Sequence, residues 1–245
     1  MFVTHPSVQC EISNSVKIWR YMDCMKFLSM IASSSLYFAR LNTLGDPFEG
    51  TFPKANHEAH KNRHIKTKNY VVNYPHAAKL AAYYLARHFY LSCWHGSDYE
   101  SDAMWKLYLK SHEGIAIQST THRLTESFKS CEHKIYVGCI KYIDYTDQAI
   151  LNDRGTLNGF DAIVHKRHCF EHEKEIRAFL SLDGRSEETP VGVSIPVNID
   201  VLAENFYVAP TTPDWQFDLF KAVIEKYGIK VPVLRSSLTQ SPIDF

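Results

Sequence analysis

The sequence predicts an α+β fold: a single domain over residues 1–245, with a mixed or antiparallel curved sheet flanked by helices. Three observations carry this expectation. Short runs with strand character and longer runs with helical periodicity both recur along the whole chain. At 245 residues and 45% apolar content, the chain is long and apolar enough to bury a substantial core. No internal repeat, low-complexity tract or linker divides it, so the elements belong to one body.

Taken in order, Lys17–Tyr21 reads as a short strand, followed by a helix for which Asp23 is the natural N-cap. Leu36–Leu41 is a β-prone run, ending at a loop punctuated by Asn42, Gly45, Asp46, Pro47 and Gly50. Arg40 stands at the mouth of that loop with Asp46 and Glu49 beyond it, an arrangement that serves as an ion-pair clamp or as a ligand site. Residues 54 to 90 read as helical almost throughout, broken at Asn73-Tyr74-Pro75, with His57, His60, Lys61, Arg63, His64, Lys66 and Lys68 in a basic first half. A strand follows near Phe89–Trp94, then a helix around Asp102–Lys110 capped by Ser101 or Asp102, and a strand at Gly114–Thr120. Trp94, Trp105 and Tyr108 are expected to share one cavity, since Trp105 and Tyr108 lie three apart on a helix.

The second half continues with a helix at Thr121–Ser130, capped by Ser119 or Thr120, and an alternating strand at Lys134–Tyr142. Residues 156 to 172 read as helical, and Ile176–Leu182 as a strand. A turn around Gly184, a strand over 191–199 and a closing strand–helix–strand unit complete the chain. In that unit Pro213 or Asp214 starts the helix and Gly228 ends it.

Composition excludes several classes. Basic and acidic residues balance at 27 each, so no whole-protein field draws the chain to nucleic acid or to an anionic membrane. Apolar runs fall short of a membrane span, and the segment after Met1 lacks the apolar core of a secretion signal, which points to a cytoplasmic protein. The six cysteines show no CxxC pairing and are expected to be reduced thiols.

The chemistry concentrates in residues 165 to 182, HKRHCFEHEKEIRAFLSL. Glu171, Glu173 and Glu175 alternate with Lys174 and precede Arg177. In an extended segment the three carboxylates share a face, and holding them together requires cations, a metal or a substrate. His165, His168, Cys169 and His172 fall at helical i, i+3, i+4 and i+7 spacing, with ligand types suited to zinc. One straight helix cannot surround an ion with all four, so no metal is assigned. The chain has no glycine-rich phosphate loop, GxSxG elbow or HExxH motif.

Three elements form a further pattern: a strand ending in Arg40 (LYFAR), a strand ending in Gln118-Ser119-Thr120 (GIAIQST), and the Glu173-x-Glu175 pair entering a strand (EKEIRAFL). Together they resemble the arginine, serine and glutamate elements of the ADP-ribosyltransferase superfamily. The resemblance implies NAD as substrate and a macromolecular acceptor, protein or nucleic acid. Glu175 would be catalytic, Glu173 would orient or activate the acceptor, Arg40 would bind phosphate and Ser119 would position. A fixed carboxylate stabilises the oxocarbenium-like state of glycosidic cleavage, and an arginine clamps pyrophosphate bidentately. Ser119-Thr120-Thr121 departs from the Ser-Thr-Ser form of the toxins in that superfamily.

Over nearly its full length, through SLYFARLNTLGDPFEG, SCWH, MWKLY, KRHCFEHEKEIR and VLRSSL, the chain also resembles the bacterial family designated domain of unknown function 2971. That resemblance implies a role in phage defence or toxicity. It marks Arg40, Asp46, Glu49, Trp94, Trp105, Tyr108, Lys166, Arg167, Glu173, Glu175, Arg177 and Arg235 as its prominent positions.

Two other readings stand beside the transferase. In a nuclease, Asp46, Glu49 and Glu173 or Glu175 would hold Mg²⁺ while Lys166 and Arg167 meet phosphate. In a non-catalytic nucleotide- or nucleic-acid-binding module, the Trp and Tyr side chains would stack beside Lys166, Arg167 and Arg235. The transferase reading requires Arg40, Ser119 and Glu175 to line one cleft. It fails if Glu175 turns into an ion pair with Arg177 or Lys174 on the far side of the sheet.

Overall fold

The computed structural model of the chain describes residues 1–8, 15–66, 71–109, 113–150, 158–182, 189–240 and 242. Cys10, Lys68, Lys110 and the turn around Gly184 lie outside them. Strand β1 (Lys17–Asp23) enters helix α1 (Cys24–Ser33) at Asp23, whose side chain accepts the Lys26 amide at 2.9 Å. Ser34, left-handed at φ 46°, closes α1 and turns the chain into β2 (Ser35–Arg40). After the loop come α2 (Lys54–Ala59), a hairpin of β3 (His64–Lys66) and β4 (Val71–Asn73), and α3 (Tyr74–His88) capped by Asn73. The helix expected over 54 to 90 is therefore two helices separated by a hairpin. Ile65, Val71 and Val72 supply β-branched residues that favour strand pairing over a continued helix.

Next are β5 (Phe89–Gly96), α4 (Asp102–Tyr108), β6 (Gly114–Thr120) and α5 (Thr121–Ser127). Ser101 caps α4, and Thr120 caps α5 through the Arg123 amide at 3.1 Å. The strand expected at Lys134–Tyr142 divides into β7 (Tyr136–Cys139) and β8 (Lys141–Ile143), because the chain changes sheets at Ile140. Only α6 (Gly159–Ile163) occupies the helix expected over 156 to 172. Beyond it come β9 (His165–Arg167), parallel to β8, and a 3₁₀ turn over His168–Glu173, while residues 156 and 157 lie outside the described residues. The chain closes with β10 (Glu175–Ser181), β11 (Gly192–Pro196), α7 (Ile199–Leu202), β12 (Asn205–Val208), α8 (Asp214–Lys226) and β13 (Val233–Arg235).

The architecture is α+β. Its main sheet runs β11-β2-β5-β1-β6-β12-β13, with β10 pairing β5 and β7, and every pairing in it is antiparallel except β12–β13. Strand β5 organises it. One edge of β5 is covered along Phe89–His95 by β10. Its other edge is shared: Tyr90 and Leu91 pair with β2, whereas His95 and Gly96 pair with β1. The sheet forks there, and Ser92, Cys93 and Trp94 face the fork.

One face of the sheet buries Ile18, Trp94, Ile117, Ile176, Ala178 and Phe206 against α1, α5 and α8. The opposite face carries two smaller apolar clusters, one around Leu91, Phe179 and Ile163, the other around Trp19, Tyr21, Met104 and Trp105. The charged site lies on this second face. Cys24, Cys93, Cys131 and Cys169 are free thiols, but Cys139 is disulfide-bonded, which corrects the expectation that all are reduced. Among the described residues, no helix is long and apolar enough to cross a membrane.

Candidate active site

Register places the site. Glu175 pairs with His95 and Arg177 with Cys93 across β10 and β5, and directly opposed residues in an antiparallel pair share a face. Lys174, left-handed at φ 42°, separates the 3₁₀ turn from β10. That reversal brings Glu173, the last residue of the turn, and Glu175, the first of the strand, onto one ammonium. Lys166 Nζ lies 2.7 Å from Glu173 Oε2, 3.2 Å from Glu175 Oε2 and 3.4 Å from Glu49 Oε1. Glu171 does not join them. It sits in the exposed turn, so the expected row of three carboxylates reduces to Glu173 and Glu175.

Arg177 completes the cluster with no solvent exposure. Its Nε donates to Glu175 Oε1 at 2.7 Å, Nη2 to Glu175 Oε2 at 3.0 Å, and Nη1 to Glu49 Oε2 at 3.0 Å and to the Ile163 carbonyl at 2.6 Å. The Tyr142 hydroxyl accepts the Glu175 amide at 2.8 Å. Burial would raise the Glu175 pKa, but Arg177 and Lys166 outweigh it and hold the carboxyl down at about 2. Burial raises Glu173 instead, with Lys166 opposing. Burial, followed by the nearby Glu175 charge, pushes the Cys93 thiol well up, so it stays protonated. With all groups ionised, Glu49, Glu173 and Glu175 exceed Lys166 and Arg177 by one negative charge. The excess faces a cavity.

That cavity has a volume of about 590 Å³, and Glu173, Glu175, Cys93, His95, Trp94 and Tyr108 contribute to its wall. From the other strands come Trp19, Arg20, Tyr21 and Tyr37. Arg20 spans the fork: its guanidinium donates to the Ser92 hydroxyl on β5 and, at 2.9 Å, to the Tyr37 carbonyl on β2. It also lies 5.8 Å from the Trp94 ring centre.

The expected constellation is brought together only in part. Glu173, Glu175, Trp94 and Tyr108 line the cavity, and Lys166 and Arg177 lie directly behind the two carboxylates. Arg40 does not line it. Its side chain donates to Asn42 Oδ1 at 2.7 Å and to the Thr189 carbonyl at 2.6 Å, so it ties two loops together. Ser119 is also outside, fully buried, with its hydroxyl donated to the Leu202 carbonyl at 2.5 Å. Trp105 packs edge-on against Tyr21 at 4.9 Å and donates to Glu100, rather than sharing the cavity of Trp94. Arg167 pairs with Asp46 at 2.8 Å, and Arg235 with Asp214 at 2.5 Å. Arg40, Ser119 and Glu175 therefore do not share one cleft: the three-element pattern is not formed, and a transferase reading has to rest on Glu175 and the other residues of the cavity. Glu175 does pair with Arg177, but on the face that lines the cavity and not on the far side of the sheet.

Arg20 and His95 escaped sequence reading. Arg20 sits mid-strand in β1, and only the fork gives its guanidinium a place. His95 was signalled by strand alternation, since it shares a face with Cys93 once β5 reaches Gly96. For the nuclease reading, Glu49, Glu173 and Glu175 are already paired with Lys166 or Arg177, while Asp46 is held by Arg167. Among the described residues, no group of three His, Cys, Asp or Glu side chains is arranged to hold a metal ion. His165 is buried on β9 and His168 exposed in the next turn, so the helical stripe of possible ligands does not form.

No protein-family model matches the chain. No curated protein matches it either. Similar solved structures include Thermus sp. 2.9 DarT in complex with NAD+, at 7% identity and a TM-score of 0.43, covering 94% of this chain and 99% of that one. The same protein in complex with ADP-ribosylated ssDNA gives 8% identity and a TM-score of 0.41, covering 91% of this chain and 95% of that one. Likenesses of this size say nothing about the site, which rests on this chain's own residues.

Proposed function

We propose that the chain is an ADP-ribosyltransferase-like enzyme that cleaves the nicotinamide glycosidic bond of NAD and transfers ADP-ribose to a macromolecule. The observation that carries this reading is Glu175: a carboxylate held ionised by a bidentate arginine, on the wall of an aromatic cavity that also contains Arg20. A volume of about 590 Å³ falls within the range of about 300–1,000 Å³ usual for ligand sites. Positive charge develops on the ribose as nicotinamide departs, and the one-charge excess of the cluster stabilises it without reorganising. Glu173, with one oxygen on Lys166, receives a ribose hydroxyl or orients the acceptor. Arg20 takes the phosphate-binding role expected of Arg40. It lines the cavity, and its bonds to Ser92 and Tyr37 leave further N–H donors on the guanidinium. Tyr108, exposed and on the cavity wall, offers a ring for stacking. A defensive or toxic role would follow from modifying an essential macromolecule.

The test is incubation with labelled NAD and a bacterial lysate, counting protein, RNA, and single- and double-stranded DNA fractions, with Glu175→Gln as control. Label that appears in one fraction and is lost with the variant supports the reading and names the acceptor class. Absence of both label and free nicotinamide overturns it.

A further inference from the structure

The carboxylate at the centre of the site is poorly suited to one step of the reaction. Both Glu175 oxygens accept hydrogen bonds from Arg177, and Oε2 takes Lys166 as well. A carboxylate so held stabilises charge but is a weak base near neutral pH. The acceptor nucleophile must nonetheless lose a proton.

His95 lies directly opposite Glu175 in the β5–β10 register and lines the same cavity. Its Nδ1 is 2.6 Å from the Glu173 carbonyl oxygen. A carbonyl oxygen only accepts, so Nδ1 carries the ring proton and Nε2 presents a lone pair. Among the described residues, Nε2 has no hydrogen-bond partner and is not a sealed orphan. The groups around the ring are His172 and Glu173 from the 3₁₀ turn, Lys174 just after it, Glu175 from β10, Cys93 from its own strand and Tyr21 from β1. Burial favours the neutral imidazole; the hydrogen bond to the Glu173 carbonyl opposes it, and Lys174 and His172 add to it.

We infer that His95 is the general base of the transfer step, accepting at Nε2 the proton of the acceptor's hydroxyl or amine. The inference rests on the NAD reading above. The bond between the ribose carbon and the nicotinamide nitrogen breaks, and its electron pair leaves with neutral nicotinamide. The acceptor supplies the pair for the new bond to that carbon, and its proton passes to Nε2. The resulting imidazolium returns the proton to solvent. Glu173 serves this base through its main chain, since its carbonyl fixes the tautomer.

The experiment uses the full chain with NAD and the acceptor fraction that the lysate incubation identifies, and measures nicotinamide release and label transfer separately. His95→Asn keeps a donor for the Glu173 carbonyl but lacks Nε2. The expected result is nicotinamide release within a few-fold of wild type, and transfer reduced about 10²–10⁴-fold. Added imidazole should restore part of the transfer in His95→Ala. Wild-type transfer in His95→Asn overturns the inference, as does an equal fall in release and transfer with the fold intact. A wild-type protein that releases no nicotinamide removes the NAD reading itself, and the base role with it; the wild-type reaction alone tells these failures apart.

Discussion

Arg177 grips Glu175 with two nitrogens, Nε at 2.7 Å from Oε1 and Nη2 at 3.0 Å from Oε2, although the residues are only two apart on one strand. Because side chains alternate along β10, both point to the same face. The pair is a built-in fixture: Arg177 is fully buried, and Glu49 and the Ile163 carbonyl hold it from behind. Replacing Arg177 with Met leaves two buried carboxylates short of a partner. That change should destabilise the fold by about 3–5 kcal/mol, read as a lower midpoint in urea unfolding.

The same pair sets an acid limb. The Glu175 pKa is about 2 when folded, below the 4.5 of an unperturbed glutamate. A depressed folded value contributes stability above the unfolded value, and that stability is lost as pH falls through the folded one. Wild-type stability should therefore fall between about pH 4.5 and 2, and Glu175→Gln should flatten that limb. Glu173, raised by burial, acts in the opposite sense at higher pH. Urea midpoints measured across this window decide the matter, and an unchanged slope in Glu175→Gln would contradict it.

Arg20 and Arg40 should behave differently. Arg20 lines the cavity, whereas Arg40 bonds Asn42 and Thr189 away from it. Arg20→Gln is expected to weaken NAD binding by about 1.5–3 kcal/mol, the scale of a charged hydrogen bond. Arg40→Gln should leave the affinity unchanged. Calorimetric titration with NAD compares them, and equal losses in both would sink the assignment of Arg20.

Much of the framework was legible because its signals are local. β-prone composition marked β2, an alternating run marked β10, and Asp23, Thr120 and Gly228 marked helix ends. The charged stretch announced Glu173, Glu175, Lys166 and Arg177, since carboxylates so close demand cations. What was not legible is non-local. The fork that admits Arg20 exists only because β1 and β2 take different portions of one edge of β5. Arg40 ends a strand, as the superfamily pattern asks, but lies on the far prong of that fork. The 3₁₀ turn over His168–Glu173 was hidden because spacing alone does not separate it from an α-helix.

The cysteines offer a further check. Cys169 is exposed, while Cys93 is held protonated by burial and the Glu175 charge. The thiolate is the reacting species, so iodoacetamide at neutral pH should modify Cys169 well before Cys93. Cys93 lines the cavity, and bound NAD should slow its modification further. Peptide mapping by mass spectrometry reads both sites, and faster labelling of Cys93 would contradict its placement.

The most direct measurement is nicotinamide release from NAD by the purified protein, wild type against Glu175→Gln, with and without EDTA. The expected result is release by wild type that EDTA does not diminish, and its loss in a variant whose circular dichroism is unchanged. Release that persists in Glu175→Gln, or that chelation abolishes, would contradict a metal-free glycosyl transfer centred on Glu175.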